Sequence, residues 1–305
     1  MTADIAFPTP RDQPRDLGAY ALHGSFPVGG LTVHHVTDGL TFGNREYWFN
    51  GIDPAVWMPV LGLTDPSTPF PVNFGLFVIT GGGSVTLVDC GFGPGIEALP
   101  GVRAGNQLLA RLAEIGIEPG QVDNIVITHL HTDHCGQLVT ELADGETRLT
   151  FPRATVHIQA EELAYWTQAA SDGDPMSPYV RSRVGPVLAA GQVSTFGAGA
   201  TIAPGVEAIT MPGHTAGHTV VRVSSNGASC FLVGDLAHHP VHFCYHSWLP
   251  VIDADPPRSI RARAALADLA IAENALVTAP HMMILTLGRL SRSPSGQVEW
   301  HRAES

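Results

Sequence analysis

The chain has 305 residues, 44% hydrophobic and only 14% charged, so it can bury a large core and is neither disordered nor fibrous. Its formal net charge of −12 argues against nucleic acid and anionic membrane surfaces as partners, since both reward Lys/Arg patches. Against 16 Lys plus Arg stand 15 histidines, and that excess needs a location.

Residues 1–30 read as a Pro/Gly-rich arm ahead of a single domain spanning 31–305. The opening "MTADIAFPTPRDQPRDLGAY" lacks the apolar run of a secretory signal, and no stretch of eighteen apolar residues follows. A cytoplasmic protein without membrane spans is expected. "LTVHHVTDGL" predicts a first strand, with His34 and His35 as ordinary strand residues. Residues 44–70 combine Trp48, Phe49, Trp57 and Met58 with four prolines and read as a long loop with an aromatic surface. "VNFGLFVIT", the turn "GGGS" and "VTLVDCGFG" predict a hairpin whose second strand ends at Asp89.

A short helix over Asn106–Ile115 precedes the buried strand "VDNIVITH", which delivers His129. The strand "ATVHIQ" leads into a helix from about Ala160 to Ala170, and a second helix runs around Tyr179 to Ala190. "VEAITMPGHTAGH", "TVVRVSS" and "SCFLVGD" predict three more strands, Pro256–Ala272 a helix, and "ALVTAPH" a last core strand. Apolar strands alternating with helices indicate an α/β layered fold. "TLVDCG" and "FLVGDL" are each a strand ending in aspartate, which hints at a duplicated half. Cys90, Cys135, Cys230 and Cys244 form no CxxC pair and read as buried hydrophobes in a reducing compartment, Cys135 drawing notice because it follows His134.

The stretch "ITHLHTDHCG" concentrates three histidines and an aspartate behind a hydrophobic strand. His129 and His131, two apart, project to one side, while Asp133 and His134 follow where the chain bends into a helix. One turn thus offers a His/His and an Asp/His ligand set. Further donors stand at strand ends: His214 in "MPGHTAGH", Asp235 in "LVGDLAHH" and His281 in "VTAPH". Imidazole nitrogen and carboxylate oxygen together suit zinc, with manganese, iron and cobalt taking the same donors.

From about residue 72 to 281 this order of motifs resembles the metallo-β-lactamase superfamily. The resemblance implies an αββα sandwich, two mixed β-sheets flanked by helices, with two divalent metal ions at one sheet edge. His129, His131 and His214 would hold the first ion; Asp133, His134 and His281 the second; Asp235 would bridge them. Asp89 would orient a ligand histidine from behind.

Two cations about 3.5–4 Å apart acidify a shared water, and the resulting hydroxide attacks a carbonyl carbon or a phosphorus. There is no GxSxG, which weakens a serine-hydrolase alternative. "GDLAHHPVHF" and "WLPVIDADPPRSIRARAALADLA" look like the branch containing methyl parathion hydrolase and quorum-quenching lactonases. That implies a lactone or carboxylic ester as substrate, with phosphotriester hydrolysis as the alternative and β-lactam or glutathione-thioester cleavage further behind, the last resting on Arg289 and Arg292. Homoserine-lactone hydrolases usually carry Tyr three residues after the bridging Asp. Here that position is His238, which joins Asp133 as a candidate catalytic residue, while His239, His242 and His246 read as a polar rim. Trp48, Phe49, Trp57, Phe243 and Trp248, with Met58 and Tyr245, are candidates for a pocket wall or for the contact of a homodimer. A non-catalytic metal-binding module is the reading from a different class; the complete ligand set speaks against it.

Overall fold

The computed structural model describes residues 21–43, 45–65, 70–93, 102–141, 146–167, 173 and 176–303. Most of the expected arm, residues 44 and 66–69 of the expected loop, and the last three residues of the helix expected to reach Ala170 lie outside the described residues. The arm reading is corrected at residues 23–28. They form strand β1 (His23–Val28), hairpinned to the long β2 (Leu31–Gly43) from His23↔Val36 to Val28↔Leu31.

The long-loop reading of residues 44–70 is corrected as well, because two helices form there, α1 (Arg45–Trp48) and α2 (Pro54–Val60). Asp53 caps α2, its Oδ1 accepting from the Ala55 N–H at 2.8 Å, and Pro54 follows at the first helical position. A missing N–H is harmless there, so a proline that reads as a loop signal starts a helix instead.

The chain continues through β3 (Phe70–Thr80), β4 (Thr86–Val88), β5 (Val102–Ala104), α3 (Leu108–Glu114), β6 (Asn124–Val126) and α4 (Thr132–Cys135). A two-stranded ribbon, β7 (Val139–Glu141) with β8 (Thr147–Leu149), leads to β9 (Thr155–Gln159), α5 (Ala160–Thr167), α6 (Ser177–Ala189) and β10 (Val193–Phe196). The first sheet runs β1-β2-β3-β4-β6-β9-β10, with β5 added to β2. The second half supplies β11 (Gly199–Ala203), β12 (Val206–Thr210), β13 (Thr219–Ser225), β14 (Ala228–Leu232), α7 (Val241–Cys244), α8 (Pro256–Ala272), β15 (Leu276–Thr278), β16 (Gly288–Arg292) and β17 (Val298–Arg302). The second sheet follows chain order, β11 to β17.

The strands of both sheets are covered on both faces, which is why they read as apolar runs rather than as alternation. Val33, Phe77 and Val126 of the first sheet pack with Val221, Val223 and Leu232 of the second in one cluster. On the outer face of the first sheet, Leu76, Leu87 and Ile125 meet Leu108, Leu112, Trp166 and Val184 from the helices. On the outer face of the second, Val220, Phe231 and Val277 meet Leu266, Ala270 and Phe243. The layers are therefore helix, sheet, sheet, helix. Helix α8 shows how sequence sets this: Asp255 caps it, Pro256 opens it, and Ser259, Ala262, Arg263, Leu266, Ala267 and Ala270 turn one stripe inward at helical spacing. Among the described residues no helix is long and apolar enough to cross a membrane.

Two pairings position the site. β4 runs parallel to β6, and β14 parallel to β15. Their carboxyl ends therefore face one edge, the usual place for a site in an α/β sheet. Asp89 and His129 follow the first pair; Asp235 and His281 follow the second. The echo between "TLVDCG" and "FLVGDL" corresponds to β4 and β14.

Candidate metal centre

Asp89, immediately after β4, has φ of 66°, in the left-handed region that a non-glycine residue enters only under constraint. Three bonds hold it there. Its Oδ1 accepts from Thr128 N–H at 2.8 Å, and its Oδ2 accepts from Thr128 Oγ1 at 2.9 Å and pairs with His134 Nδ1 at 2.9 Å. The aspartate expected to orient a histidine from behind thus sits on His134, turning Nε2 toward the donor cluster.

The seven expected ligands converge. His129 Nε2 lies 3.0 Å from His131 Nδ1, which lies 3.2 Å from His214 Nε2. His134 Nε2 and His281 Nε2 lie 3.4 and 3.6 Å from Asp133 Oδ2. Asp235 stands between the two sets, with Oδ2 3.3 Å from His214 Nε2 and Oδ1 3.1 Å from His281 Nε2. The donor atoms of His129, His131, His214 and Asp235 all lie within 4.8 Å of one another, as do those of Asp133, His134 and His281. A third such group joins Asp235, His238 and His281.

These donors fit divalent cations. His134 Nε2 and Asp235 Oδ1 are buried and make no hydrogen bond, a costly arrangement unless something else satisfies them. Burial holds His129 well below the usual imidazole range, assisted by His134 and His131, and burial with His214 brings His131 to about 3. Both rings are then neutral, each with one nitrogen lone pair to offer, the form a metal needs. At His134 burial opposes charge, yet Asp133, Asp235 and Asp89 raise it well above its ordinary value. Burial would also raise Asp235, but His281, His134 and His238 outweigh it and hold the carboxyl well below the usual range. Negative charge that favours a proton on His134 favours a cation in its place.

The residues behind the ligands escape sequence reasoning, apart from Asp89. His214 Nδ1 pairs with Asp253 Oδ1 at 2.8 Å, and Asp253 faces the fully buried Arg263, with Oδ2 3.8 Å from the guanidinium. His281 Nδ1 donates to Asn73 O at 2.8 Å; the Asn73 amide in turn donates to Pro280 O and Met282 O and contacts the buried His35. His35, read as an ordinary strand residue, therefore braces the backbone around a ligand. His218 Nδ1 donates to Met211 O, and its Nε2 accepts from Asp235 N–H at 3.0 Å, fixing the central aspartate. His218 lay in the motif "MPGHTAGH", where buried strand-end imidazoles were the available signal. The others are single polar residues inside long elements and carry no motif.

Glu162 is the most economical of these supports. Although buried, its carboxylate accepts from Leu130 N–H and Trp166 Nε1–H through Oε1 and from Gly217 N–H through Oε2, each at 2.9 Å. One side chain ties the His129–His131 turn to the turn after His214. Only glycine serves at 217, since a Cβ there would stand 2.6 Å from Glu162. Glu162→Gln sets an NH₂ against one of these N–H donors, and a loss of about 1–3 kcal/mol is expected in the thermal unfolding of the metal-free protein. An unchanged midpoint would remove Glu162 from this role.

A cavity of about 690 Å³ opens on the donors, with His131, Asp133, His214, Asp235 and His281 on its floor. Trp48, Val72, Phe74, Phe92, Trp166 and Met176 give it apolar walls. Of the expected pocket residues, Trp48 is on that wall, its ring 4.4 Å from that of His238. The others are corrected: they do not line this cavity. Phe49, Trp57 and Trp248 form a buried cluster behind Trp48, and Phe243 stacks on Trp300 in the core of the second sheet. The aromatic surface expected of residues 44–70 is thus largely a packed interior.

His238 lies against the cluster rather than on the cavity wall. Its Nε2 is 3.2 Å from Asp235 Oδ2, and its ring stacks on His281 at 5.1 Å; burial lowers it to about 4 despite Asp235. His242, expected on a polar rim, is fully buried and accepts the His238 N–H through Nδ1. Arg289 donates to Asn274 O and Arg292 pairs with Asp268, so neither serves the cavity as a thioester site would require. The four cysteines are free, and burial pushes the Cys135 thiol up to about 12, unlike a nucleophile.

Two stacked sheets with helices outside and a buried His/Asp cage at their common edge define a metal-dependent hydrolase. The family profile of the metallo-β-lactamase superfamily matches residues 67–277, and the chain belongs to that superfamily. No curated protein matches the chain in sequence. Solved structures do. AbOPH, a hydrolase in the β-lactamase superfamily, is 23% identical with a TM-score of 0.80 over 93% of this chain and 98% of its own. AidC, a dizinc quorum-quenching lactonase solved with a product, is 20% identical with a TM-score of 0.77 over the same shares. A probable metal-dependent hydrolase from Staphylococcus aureus is 18% identical, with a TM-score of 0.73 over 92% and 99%. At these identities the likeness is one of fold.

Proposed function

We propose that the chain is a dinuclear metal hydrolase that opens lactones or carboxylic esters bearing an apolar acyl or aryl group. The observation that carries this reading is that five residues of the seven-residue cage, His131, Asp133, His214, Asp235 and His281, line an apolar-walled cavity. The product-bound lactonase among the fold's neighbours supports the choice of substrate class. When bound, two divalent ions, zinc by default, supply an acidified water and a Lewis acid for the electrophile's oxygen.

The protein's own groups do the rest. His129, His131 and His214 on one side, and Asp133, His134 and His281 on the other, fix where the reaction occurs, and Asp235 sets their separation. Asp133, whose side chain is 16% exposed, is the cage carboxylate nearest solvent and takes the candidate role of moving a proton to the leaving oxygen. Burial would raise its carboxyl, but His134 and His281 hold it below the usual range, so it is ionised at neutral pH. His238 donates to Asp235 and steadies it. Trp48, Phe74 and Trp166 seat the apolar part of the substrate and exclude water around it. The free cysteines suit a reducing, cytoplasmic setting.

The test is a panel of lactones, aryl esters and phosphotriesters on the metal-replete protein, with a His129→Ala control. Lactones or esters are expected to lead, and chelation to abolish turnover. Chelation is also expected to lower stability by about 4 kcal/mol relative to protein held at about 1,000 times the metal Kd. Turnover confined to phosphotriesters would sink the ester reading, and full activity after chelation would sink the metal.

A further inference from the structure

The cavity wall carries a cation that ester hydrolysis as such does not use. Arg258 lines the cavity beside Asp255, Gly213 and His214 and is half-buried. Its position is fixed from the ligand side. Asp255 N–H donates to Gly213 O at 2.8 Å and Ala254 N–H to His214 O at 3.1 Å, so α8 begins directly at the His214 turn. Gly213 has φ of 146°, and a Cβ there would stand 2.3 Å from Ser259 N, so the two segments touch.

No acidic side chain pairs with the Arg258 guanidinium among the described residues. Its neighbour Asp255 is engaged in capping, Oδ1 accepting the Arg258 backbone N–H at 3.0 Å. Helix stability does not account for the residue, because the first turn of a 17-residue helix disfavours a cation. Packing does not either: the inward stripe of α8 begins at Ser259 and continues through Ala262 and Arg263. A half-buried arginine in the lining of a largely apolar cavity gains most from a planar anion that meets its fork with two parallel hydrogen bonds.

We infer that Arg258 is a specificity-determining residue, and that the site prefers esters or lactones carrying a carboxylate remote from the scissile bond, which Arg258 holds. The inference rests on the ester-hydrolase reading of the same cavity. A volume of about 690 Å³ accommodates both the apolar chain and its charged end.

The experiment compares 4-nitrophenyl hydrogen adipate with 4-nitrophenyl hexanoate on the metal-replete protein. In parallel, binding of the corresponding amides, adipic monoanilide and hexananilide, is followed by tryptophan fluorescence. The anionic ester is expected to lead in kcat/KM by about tenfold, the anionic anilide to bind more tightly by a similar factor, and Arg258→Gln to bring both ratios to about one, through KM for the esters. Arg258→Lys keeps an intermediate ratio, since a point charge lacks the fork, and it provides a second variant if Gln disturbs folding. Equal efficiency on both esters in the parent, or an unchanged ratio in Arg258→Gln, overturns the inference and leaves ester hydrolysis standing. Tighter binding of the anionic anilide that needs Arg258, with neither ester hydrolysed, upholds the anion preference and removes the hydrolase reading. Absence of both overturns both.

Discussion

Asp235→Asn is expected to lower ester hydrolysis by about three orders of magnitude, roughly 4 kcal/mol of lost transition-state stabilisation. Asp235 Oδ2 lies 3.3 Å from His214 Nε2 and 3.2 Å from His281 Nε2, and its Oδ1 lies 3.1 Å from His281 Nε2 and 3.4 Å from His134 Nε2, so one carboxylate touches both donor sets. An amide keeps the shape but removes the charge and turns an NH₂ toward one ligand set. For the proposed dinuclear centre, metal analysis is therefore expected to fall from two ions per chain to one or fewer. Because His218 fixes the backbone of residue 235 independently of its side chain, the fold is expected to survive. A variant that retains both ions and full turnover would show that the two donor sets do not depend on a shared carboxylate.

The second large effect is expected at a residue that is not itself a metal donor. Arg263 is fully buried in α8, donates to Leu236 O and Trp248 O at 2.6 Å and to His246 O at 3.2 Å, and faces Asp253. Burial lowers its pKa to about 10, so it remains a cation at neutral pH. Arg263→Met leaves three carbonyls without this donor and a buried carboxylate without its counter-charge. A loss of about 3–5 kcal/mol follows from such a break, or about 10 °C in Tm at the sensitivity of a chain this size. Asp253 also orients His214, so weaker metal binding by about 10- to 100-fold is expected alongside. A purely structural role would lower Tm and leave metal affinity as it was.

The cage was legible because the chemistry concentrates it: HxHxDH puts four donors within six positions, and the remaining three each follow a strand by three or four residues. The long strands and α8 were legible from apolar runs and from the Asp255-Pro256 start. The supports were not. Asn73 and His281 are 208 positions apart, and Glu162 and Gly217 are 55 apart. A lone buried Asn or Glu gives no periodic signal, and its partners exist only after the strands pair. The aromatic segment failed for a related reason. Trp57 and Phe49 look the same in sequence whether they turn toward a cavity or away from it, and Pro54 and Pro59 masked a helix. His238, a candidate for the reacting group from its place three residues after Asp235, is seated between Trp48 and His281 with Nε2 3.2 Å from Asp235 Oδ2.

Cage and wall come from different stretches of the chain. The donors sit just beyond strands or in the short helix α4, braced by Asp89, Glu162, His218 or Asn73, while Trp48, Met176, Ile252 and Arg258 belong to α1, α6's approach and the entry to α8. Substitutions of side chains in those rim segments can reshape what enters while the donors keep their own supports. Such a division of labour lets one reactive centre be re-tuned to new molecules in small steps, each tolerable by itself.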